Sequence, residues 1–417
     1  HDQLFSSEFA VSRSLPLAPY MQPSSYPQQQ RHIPTAQKMP QLKRLKDTAR
    51  SADDVRRKLS ELGACTTGPE FALIVSTYSR LREWRAACDT IAEMEQLRLP
   101  PDGSDKSIAV AYSQAILACD KARQWQQAVQ LIEGMQAASR VAPNEFHYSG
   151  AISACAKCGQ HQVAMRLFDG YRKQGIRPNE VVYNATLSAC AKGDTARVHQ
   201  LLDEMRNAGI APSVKTYAAA IGACGSDSWR DGMQLLDRME SDGLRPDSIS
   251  YNTTIKAVGD AGEWQVALQV LERMKKRNAQ RTTVTYTSAI CALAEGGQYA
   301  SAYKMLSDMR NDGVQPDQVC YNAAMGAAAS DHDADKALAL HAEMQRMGLK
   351  PSARSFTSLI SACGKARQTT KALELLREME AVGLQPGSHA YSAAISACEK
   401  GGMWQKGLEL LDEMERR

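Results

Sequence analysis

The apolar positions of the chain fall on two short helical stripes that alternate along its length. In the segment EVVYNATLSACAKG, Tyr183, Leu187 and Cys190 lie at positions i, i+4 and i+7, which form one face of an α-helix. Residues 196–206 carry a second stripe, and the turn at 192–194 separates the two. A Gly-x-x-Pro phrase follows, and it stops the second helix because proline cannot continue one. Each unit is therefore predicted to be a helical hairpin.

This hairpin recurs with a period of about 35 residues. One aromatic residue marks each of ten units: Phe71, Tyr112, Tyr148, Tyr183, Tyr217, Tyr251, Tyr286, Tyr321, Phe356 and Tyr391. Methionine follows most of these aromatics at a nearly constant distance. A single hairpin cannot bury both of its stripes, so neighbouring units must stack against one another.

The predicted fold is therefore all-α, an α-solenoid superhelix of about ten 35-residue helix-turn-helix repeats. We expect an extended Pro/Gln/Ser-rich tail over residues 1–46 and a capping helix or linker over 47–67. The repeat array is expected to occupy 68–417, with units near 68–102, 109–144, 145–179, 180–213, 214–247, 248–282, 283–317, 318–352, 353–387 and 388–417. An insertion at 103–108 interrupts the period.

Charge and cysteine content narrow the functional classes. The formal charge of +4 resides in residues 1–46, so the array is neutral and its net charge gives no argument for a nucleic-acid partner. The eleven cysteines are spread out, which is typical of a reducing compartment rather than a disulfide scaffold. No apolar run reaches the length of a membrane span, so we expect a soluble protein without direct membrane insertion.

The phrases VVYNATLSACAKG, LLDEMRNAGIAPS and SISYNTTIKAVGDAGEWQVALQVLERM resemble the pentatricopeptide repeat, in its P-class form. The alternative tetratricopeptide pattern, Trp-x2-Leu-Gly-x2-Tyr, is not found in any unit. The resemblance covers residues 68–417. It implies binding of single-stranded RNA, with about one base per repeat selected by two or three side chains.

In that family the base-reading side chains are the residue after the aromatic and the last residue of the unit. The resemblance thus implies base reading by Ser113, Asn144, Ser149, Asn179, Asn184, Ser213, Asn252, Thr282, Thr287, Asp317, Asn322, Ser352, Thr357 and Ser392. Ala72, Ala218 and Gly387 depart from the pattern, and their units should select poorly. By the family's pairing preferences, units two to eight favour approximately A-A-C-N-Y-G-C.

Two further sets of positions suit a nucleotide. Apolar residues two places before the aromatic are candidates to sandwich a base: Val110, Phe146, Val181, Ile249, Val284 and Val319. Basic residues nine places after it are candidates for phosphate contacts: Arg80, Lys121, Lys157, Lys192, Lys365 and Lys400. At the second of these positions, units five to eight have Ser226, Asp260, Glu295 and Ser330. We therefore expect these units to bind the phosphate backbone of the RNA more weakly.

Other chemically suggestive residues have simpler interpretations. Cys155, Cys158 and His161 match no complete zinc module, and the recurrent cysteines are expected to pack as small apolar side chains. The tryptophans at the start of second helices (Trp84, Trp125, Trp229, Trp264 and Trp404) are expected to be wedges between repeats. The cluster 331–333 is expected to be a solvated turn. We expect no metal and no cofactor.

Two function classes stay open. The first is an organellar RNA-binding protein of a mitochondrion or chloroplast that protects, remodels or guides processing of a transcript without its own catalysis. The second is a scaffold subunit of a large organellar complex, for example a ribosome, whose solenoid contacts protein or structured RNA. Its tail would contact other subunits of an organellar ribonucleoprotein or membrane-associated complex. Enzymatic relatives add a catalytic domain, and the deaminase pattern H-x-E with P-C-x-x-C is absent.

Overall fold

A computed structural model describes residues 34–97, 105–138 and 141–416, which form α-helices without strands. The helices are α1 Thr35–Thr48, α2 Ala52–Leu62, α3 Gly68–Leu81, α4 Trp84–Gln96, α5 Asp105–Lys121, α6 Trp125–Ala138, α7 Glu145–Lys157, α8 His161–Lys173, α9 Glu180–Ala189, α10 Thr195–Asn207, α11 Val214–Cys224, α12 Trp229–Ser241, α13 Ser248–Asp260, α14 Trp264–Lys276, α15 Thr283–Glu295, α16 Tyr299–Asn311, α17 Gln318–Ser330, α18 Ala334–Arg346, α19 Ala353–Lys365, α20 Thr369–Ala381, α21 Ser388–Lys400 and α22 Trp404–Arg416. The predicted all-α helical-repeat solenoid is confirmed.

Helices α3 to α22 form ten repeats, which we number one to ten; the first helix of each is its A-helix and the second its B-helix. The chain divides within α5, between Ala118 and Cys119, into two compact units. In the second unit each A-helix packs against its own B-helix and the next A-helix, as α7 does with α8 and α9. The A-helices therefore form one continuous row in that unit.

The predicted packing stripe is the core. All ten marker aromatics are buried, and Tyr217, Tyr251 and Tyr286 are completely so. Glycines of the Gly-x-x-Pro phrases stop the B-helices as expected: Gly209 has φ +77°, and the following Ile210 N–H donates to the Met205 carbonyl. Where the glycine is missing, Asn278 takes this left-handed conformation with φ +51°.

Tyrosine hydroxyls join successive repeats through acidic side chains. Tyr217 donates to Asp242 over 2.6 Å, and Arg206 of the preceding repeat donates to the same carboxylate. Burial, and then the hydrogen bond to Asp242, raise the pKa of Tyr217 to about 12. Arg273 similarly pairs with Asp237 and Glu240 of the preceding repeat. Many charged side chains of the neutral array thus form ion pairs between successive repeats.

The helix bounds differ from two of the expected boundaries. Residues 35–46, predicted to be extended, are helical because α1 buries Leu42, Leu45 and the stem of Lys38, whose ammonium donates to the Ala64 carbonyl over 2.8 Å. Residues 105–108 of the predicted insertion belong to α5. Residues 1–33 of the tail and the rest of the insertion lie outside the described residues. None of the described helices combines the length and apolarity needed to cross a bilayer.

Candidate nucleic-acid interface

Apart from Ser113, which is the ninth residue of α5, the predicted base-reading residues lie at the start of the A-helices. The last residue of a predicted unit is the N-cap of the next A-helix, as Asp317 is for α17. Short polar residues at this place accept hydrogen bonds from the first free N–H groups of a helix, which is why the sequence starts a helix there. Val319 is then the second helical residue and Asn322 the fifth, so the two share one helix face.

This capping role of the second reader was missed by the sequence reasoning. Asn179 accepts from Val182 N–H over 3.1 Å, and Asp317 accepts from both Val319 and Cys320 N–H over 3.0 Å. Ser213, Ser352 and Asn144 cap in the same way, whereas Gly387 provides no side-chain cap. The cap bond orients the side chain of each of these capping readers. The preference for Asn, Asp, Ser and Thr at these positions was the signal that could have revealed it.

In repeats six and eight the two readers touch. Asn252 Nδ2 lies 3.4 Å from Thr282 Oγ1, and Asn322 Nδ2 lies 3.4 Å from Ser352 Oγ. The amide oxygens accept from a third side chain, the hydroxyl of Thr285 or Ser355, each over 2.6 Å. Residues about 30 apart in sequence thus form one small polar site.

Repeat four carries the same Asn and Ser pair as repeat eight but arranges it differently. Glu180, the first residue of α9, accepts from Ser213 Oγ over 2.5 Å and from Asn184 Nδ2 over 3.5 Å. The amide oxygen of Asn184 is buried and has no hydrogen-bond partner among the described residues. A carboxylate therefore bridges the readers in this repeat.

The hydroxyl readers bond to their own helix. Thr287 and Thr357 donate to the carbonyls of Thr283 and Ala353 over 2.8 Å, and Ser113 donates to Ala109 over 2.9 Å. Ser149 donates to the Phe146 carbonyl over 3.2 Å. Because the proton is directed at the backbone, the oxygen presents lone pairs outward. Ser392 is exposed.

The six predicted sandwich residues are all exposed, although they are large and apolar. Their exposed fractions range from 50% for Val110 to 63% for Phe146 and Ile249, and Val181, Val284 and Val319 fall between. Single exposed apolar residues are ordinary, but these recur at one helical position. The arrangement suits a flat apolar partner placed beside each reader. Lys215, Arg354 and His389, which break the series, are also exposed.

The predicted phosphate residues lie at the other end of the A-helices, roughly 12 Å along the axis from the readers. Two of them have partners in the protein: Arg80 donates to the Ala49 carbonyl, and Lys157 pairs with Asp120 over 2.5 Å. Lys121, Lys192 and Lys400 are exposed and Lys365 is half-buried. At the equivalent place in repeat seven, burial and the charge of Asp260 raise the pKa of Glu295.

Most of the chain matches a known family of helical repeats. Residues 103–280 and 290–417, more than half of the chain, match the family described as the pentacotripeptide-repeat region of PRORP. The chain belongs to the pentatricopeptide-repeat family. Among solved structures, this pentatricopeptide-repeat protein is similar to maize PPR10, with 23% identity and a TM-score of 0.51 over 90% of this chain. It spans 58% of the PPR10 chain, and this likeness shows the fold alone.

Two structures solved with RNA also match. PPR10 in complex with an 18-nt psaJ RNA element is 20% identical, with a TM-score of 0.42 and coverage of 92% of this chain and 70% of that one. Yeast Rmd9p in complex with a 16-nt target RNA is 10% identical, with a TM-score of 0.47 and coverage of 91% and 86%. A search of the curated proteins finds no match.

The pentatricopeptide-repeat packing accounts for the recurrent cysteines. Cys155, Cys190 and Cys224 are buried, and burial raises the pKa of Cys155 and Cys190 to about 12 and that of Cys224 to about 11. They are neutral thiols near pH 7, which confirms the interpretation as packing residues. In residues 34–97, 105–138 and 141–416, no three His, Cys, Asp or Glu side chains are grouped as a metal site would require.

The tryptophans follow the wedge prediction only in part. Trp264 lies against Gly296 of the next repeat so closely that a Cβ on that glycine would lie 2.2 Å from the indole Cδ1. This contact confirms the wedge for Trp264. Trp404 is 66% exposed and does not act as a wedge here.

Proposed function

We propose that this pentatricopeptide-repeat protein binds single-stranded RNA and selects about one base per repeat through the paired readers. The observation that carries the proposal is the direct contact of Asn252 with Thr282 and of Asn322 with Ser352. A site formed by two helix starts and flanked by an exposed apolar residue suits the edge and the face of one unpaired base. We also propose a mitochondrion or chloroplast as the compartment, on the basis of family membership.

The polar groups at each site match base edges rather than phosphates. An asparagine amide beside a hydroxyl offers both donors and acceptors, which fits the Watson–Crick edge of a pyrimidine. The exposed side chains of Ile249 and Val319, three residues before the readers Asn252 and Asn322, provide contact area for the face of the base. Only unpaired bases expose both surfaces, so we expect a duplex of the same sequence to compete poorly.

The exposed lysines should provide the affinity for the phosphate backbone of the RNA. We expect Lys192→Gln to weaken binding of single-stranded RNA and to reduce the slope of log K against log salt concentration by about 0.7, because one phosphate contact is lost. Fluorescence anisotropy across a salt series measures both quantities.

Lys157→Gln is the matched control. Because Lys157 already neutralises Asp120, its loss should change the slope less than that of Lys192. Absence of any binding to single-stranded RNA, or equal competition by duplex RNA, would contradict the proposal.

One observation favours a second function. Asp260 and Glu295 place like charges where repeats six and seven would meet phosphates, and Asp260 contributes to the raised pKa of Glu295. This feature favours a scaffold subunit whose middle repeats contact protein. Asp260→Asn with Glu295→Gln distinguishes the two, since neutralisation should strengthen binding of RNA but not of a basic protein surface.

A further inference from the structure

Repeats four and eight provide a comparison within one molecule. Both have asparagine and serine as readers, and both are therefore expected to favour the same base. In repeat eight the first residue of the A-helix, Gln318, donates to the Lys350 carbonyl over 2.9 Å. The two readers of that repeat, Asn322 and Ser352, contact each other instead. Glu180 occupies that place in repeat four and accepts from both readers.

The two sites consequently present different groups. In repeat eight the Ser352 hydroxyl is bonded to neutral partners, and the Asn322 oxygen is satisfied by Ser355. In repeat four the Ser213 proton and one Asn184 amide proton are held by Glu180. The Asn184 oxygen is left without a partner among the described residues. Repeat four thus offers mostly acceptors and carries a negative charge.

We propose that Glu180 is a third base-selecting residue of repeat four, where its carboxylate makes a base amino group a requirement. This inference rests on the proposed function. Cytosine has an amino group at C4, which can donate a hydrogen bond to a carboxylate. Uracil has a carbonyl oxygen there, whose lone pairs would face the carboxylate charge. Repeat four should therefore distinguish cytosine from uracil more strongly than repeat eight does.

The test uses the RNA AACUUGC, in which nucleotide three faces repeat four and nucleotide seven faces repeat eight in the predicted register. Dissociation constants are measured for this RNA and for AAUUUGC and AACUUGU. The cytosine-to-uracil ratio at a nucleotide is defined as the dissociation constant of the RNA with uracil there divided by that of the RNA with cytosine. For the unmodified protein we expect this ratio at nucleotide three to exceed that at nucleotide seven by roughly ten-fold. Glu180→Gln should lower the ratio at nucleotide three to the level seen at nucleotide seven.

The reciprocal variant Gln318→Glu adds the carboxylate to repeat eight. It should raise the cytosine-to-uracil ratio at nucleotide seven by a similar factor and leave nucleotide three unchanged. This gain does not depend on the folding of the Glu180 variant. A loss of melting temperature in Glu180→Gln without a change in the ratio would show a structural role only and would overturn the inference.

The two proposals fail differently. If the unmodified protein does not distinguish AACUUGC from AACUUGU, the proposed function of repeat eight fails. If it does, but neither Glu180→Gln nor Gln318→Glu changes its ratio, the role of Glu180 is refuted while the proposed function stands.

Discussion

Replacing Asn322 with Thr and Ser352 with Asp is expected to change the base preference of repeat eight from cytosine to guanine. The two new residues reproduce the pair Thr287 and Asp317 of repeat seven, which presents a carboxylate acceptor beside a hydroxyl oxygen. Guanine offers two donors on its Watson–Crick edge, which match these acceptors. We expect each site to discriminate by about 1–3 kcal/mol, roughly five- to 150-fold in the ratio of dissociation constants for AACUUGC and AACUUGG.

The change is compatible with the fold, since aspartate caps helices as well as serine does and α19 keeps its N-cap. The reverse exchange in repeat seven, Thr287→Asn with Asp317→Ser, is the matched control and should favour cytosine at nucleotide six. An unaltered preference in both double variants, with unaltered melting temperatures, would show that these side chains do not face a base.

Gly259→Ala is expected to destabilise the array by about 1–3 kcal/mol, although alanine is the better helix former. A Cβ at Gly259 would lie 2.6 Å from the Cβ and 3.2 Å from the Cα of Ala292, so α13 and α15 would have to separate. Because that contact lies between successive A-helices, the spacing of the readers of repeats six and seven should change as well. Chemical denaturation measures the loss of stability, and binding of AACUUGC measures the loss of affinity.

Gly326→Ala is the control for this prediction. Gly326 lies inside α17, and no heavy atom outside its own helix neighbourhood is within 4 Å of a Cβ there. The substitution should therefore leave stability unchanged or raise it by up to about 1 kcal/mol. Equal effects of the two substitutions would mean that the close approach of α13 to α15 does not limit stability.

Burial could be predicted from the sequence far better than contacts between polar side chains. Each hairpin must bury its apolar stripes against its neighbours, and this requirement produces the period and the aromatic stripe. The burial of residues such as Tyr251 and Cys155 was therefore predicted correctly. Leu42 and Leu45 also lie on one helix face, but a segment containing Pro40 and few apolar residues predicts a helix poorly without its packing partner. Tertiary packing against α3 decides that element.

The site could be predicted only in outline. The sequence indicates which positions lie on the reader face, but the bridge from Glu180 to Ser213 joins the starts of two successive A-helices and depends on side-chain conformation. The capping by Asn179 and Asp317 was open to prediction from residue type at a helix start. The pairing of Lys157 with Asp120 was not, because the partners are 37 residues apart on different A-helices.

The central claim is sequence-selective reading of single-stranded RNA by the paired side chains. It is tested most directly by the ratio of dissociation constants for a fluorescent RNA containing AACUUGC and for a shuffled RNA of the same composition, measured with the unmodified protein. We predict tighter binding of AACUUGC, by at least ten-fold, at every salt concentration at which binding is detected. Equal affinity for the two RNAs, or no binding of either, would contradict the account.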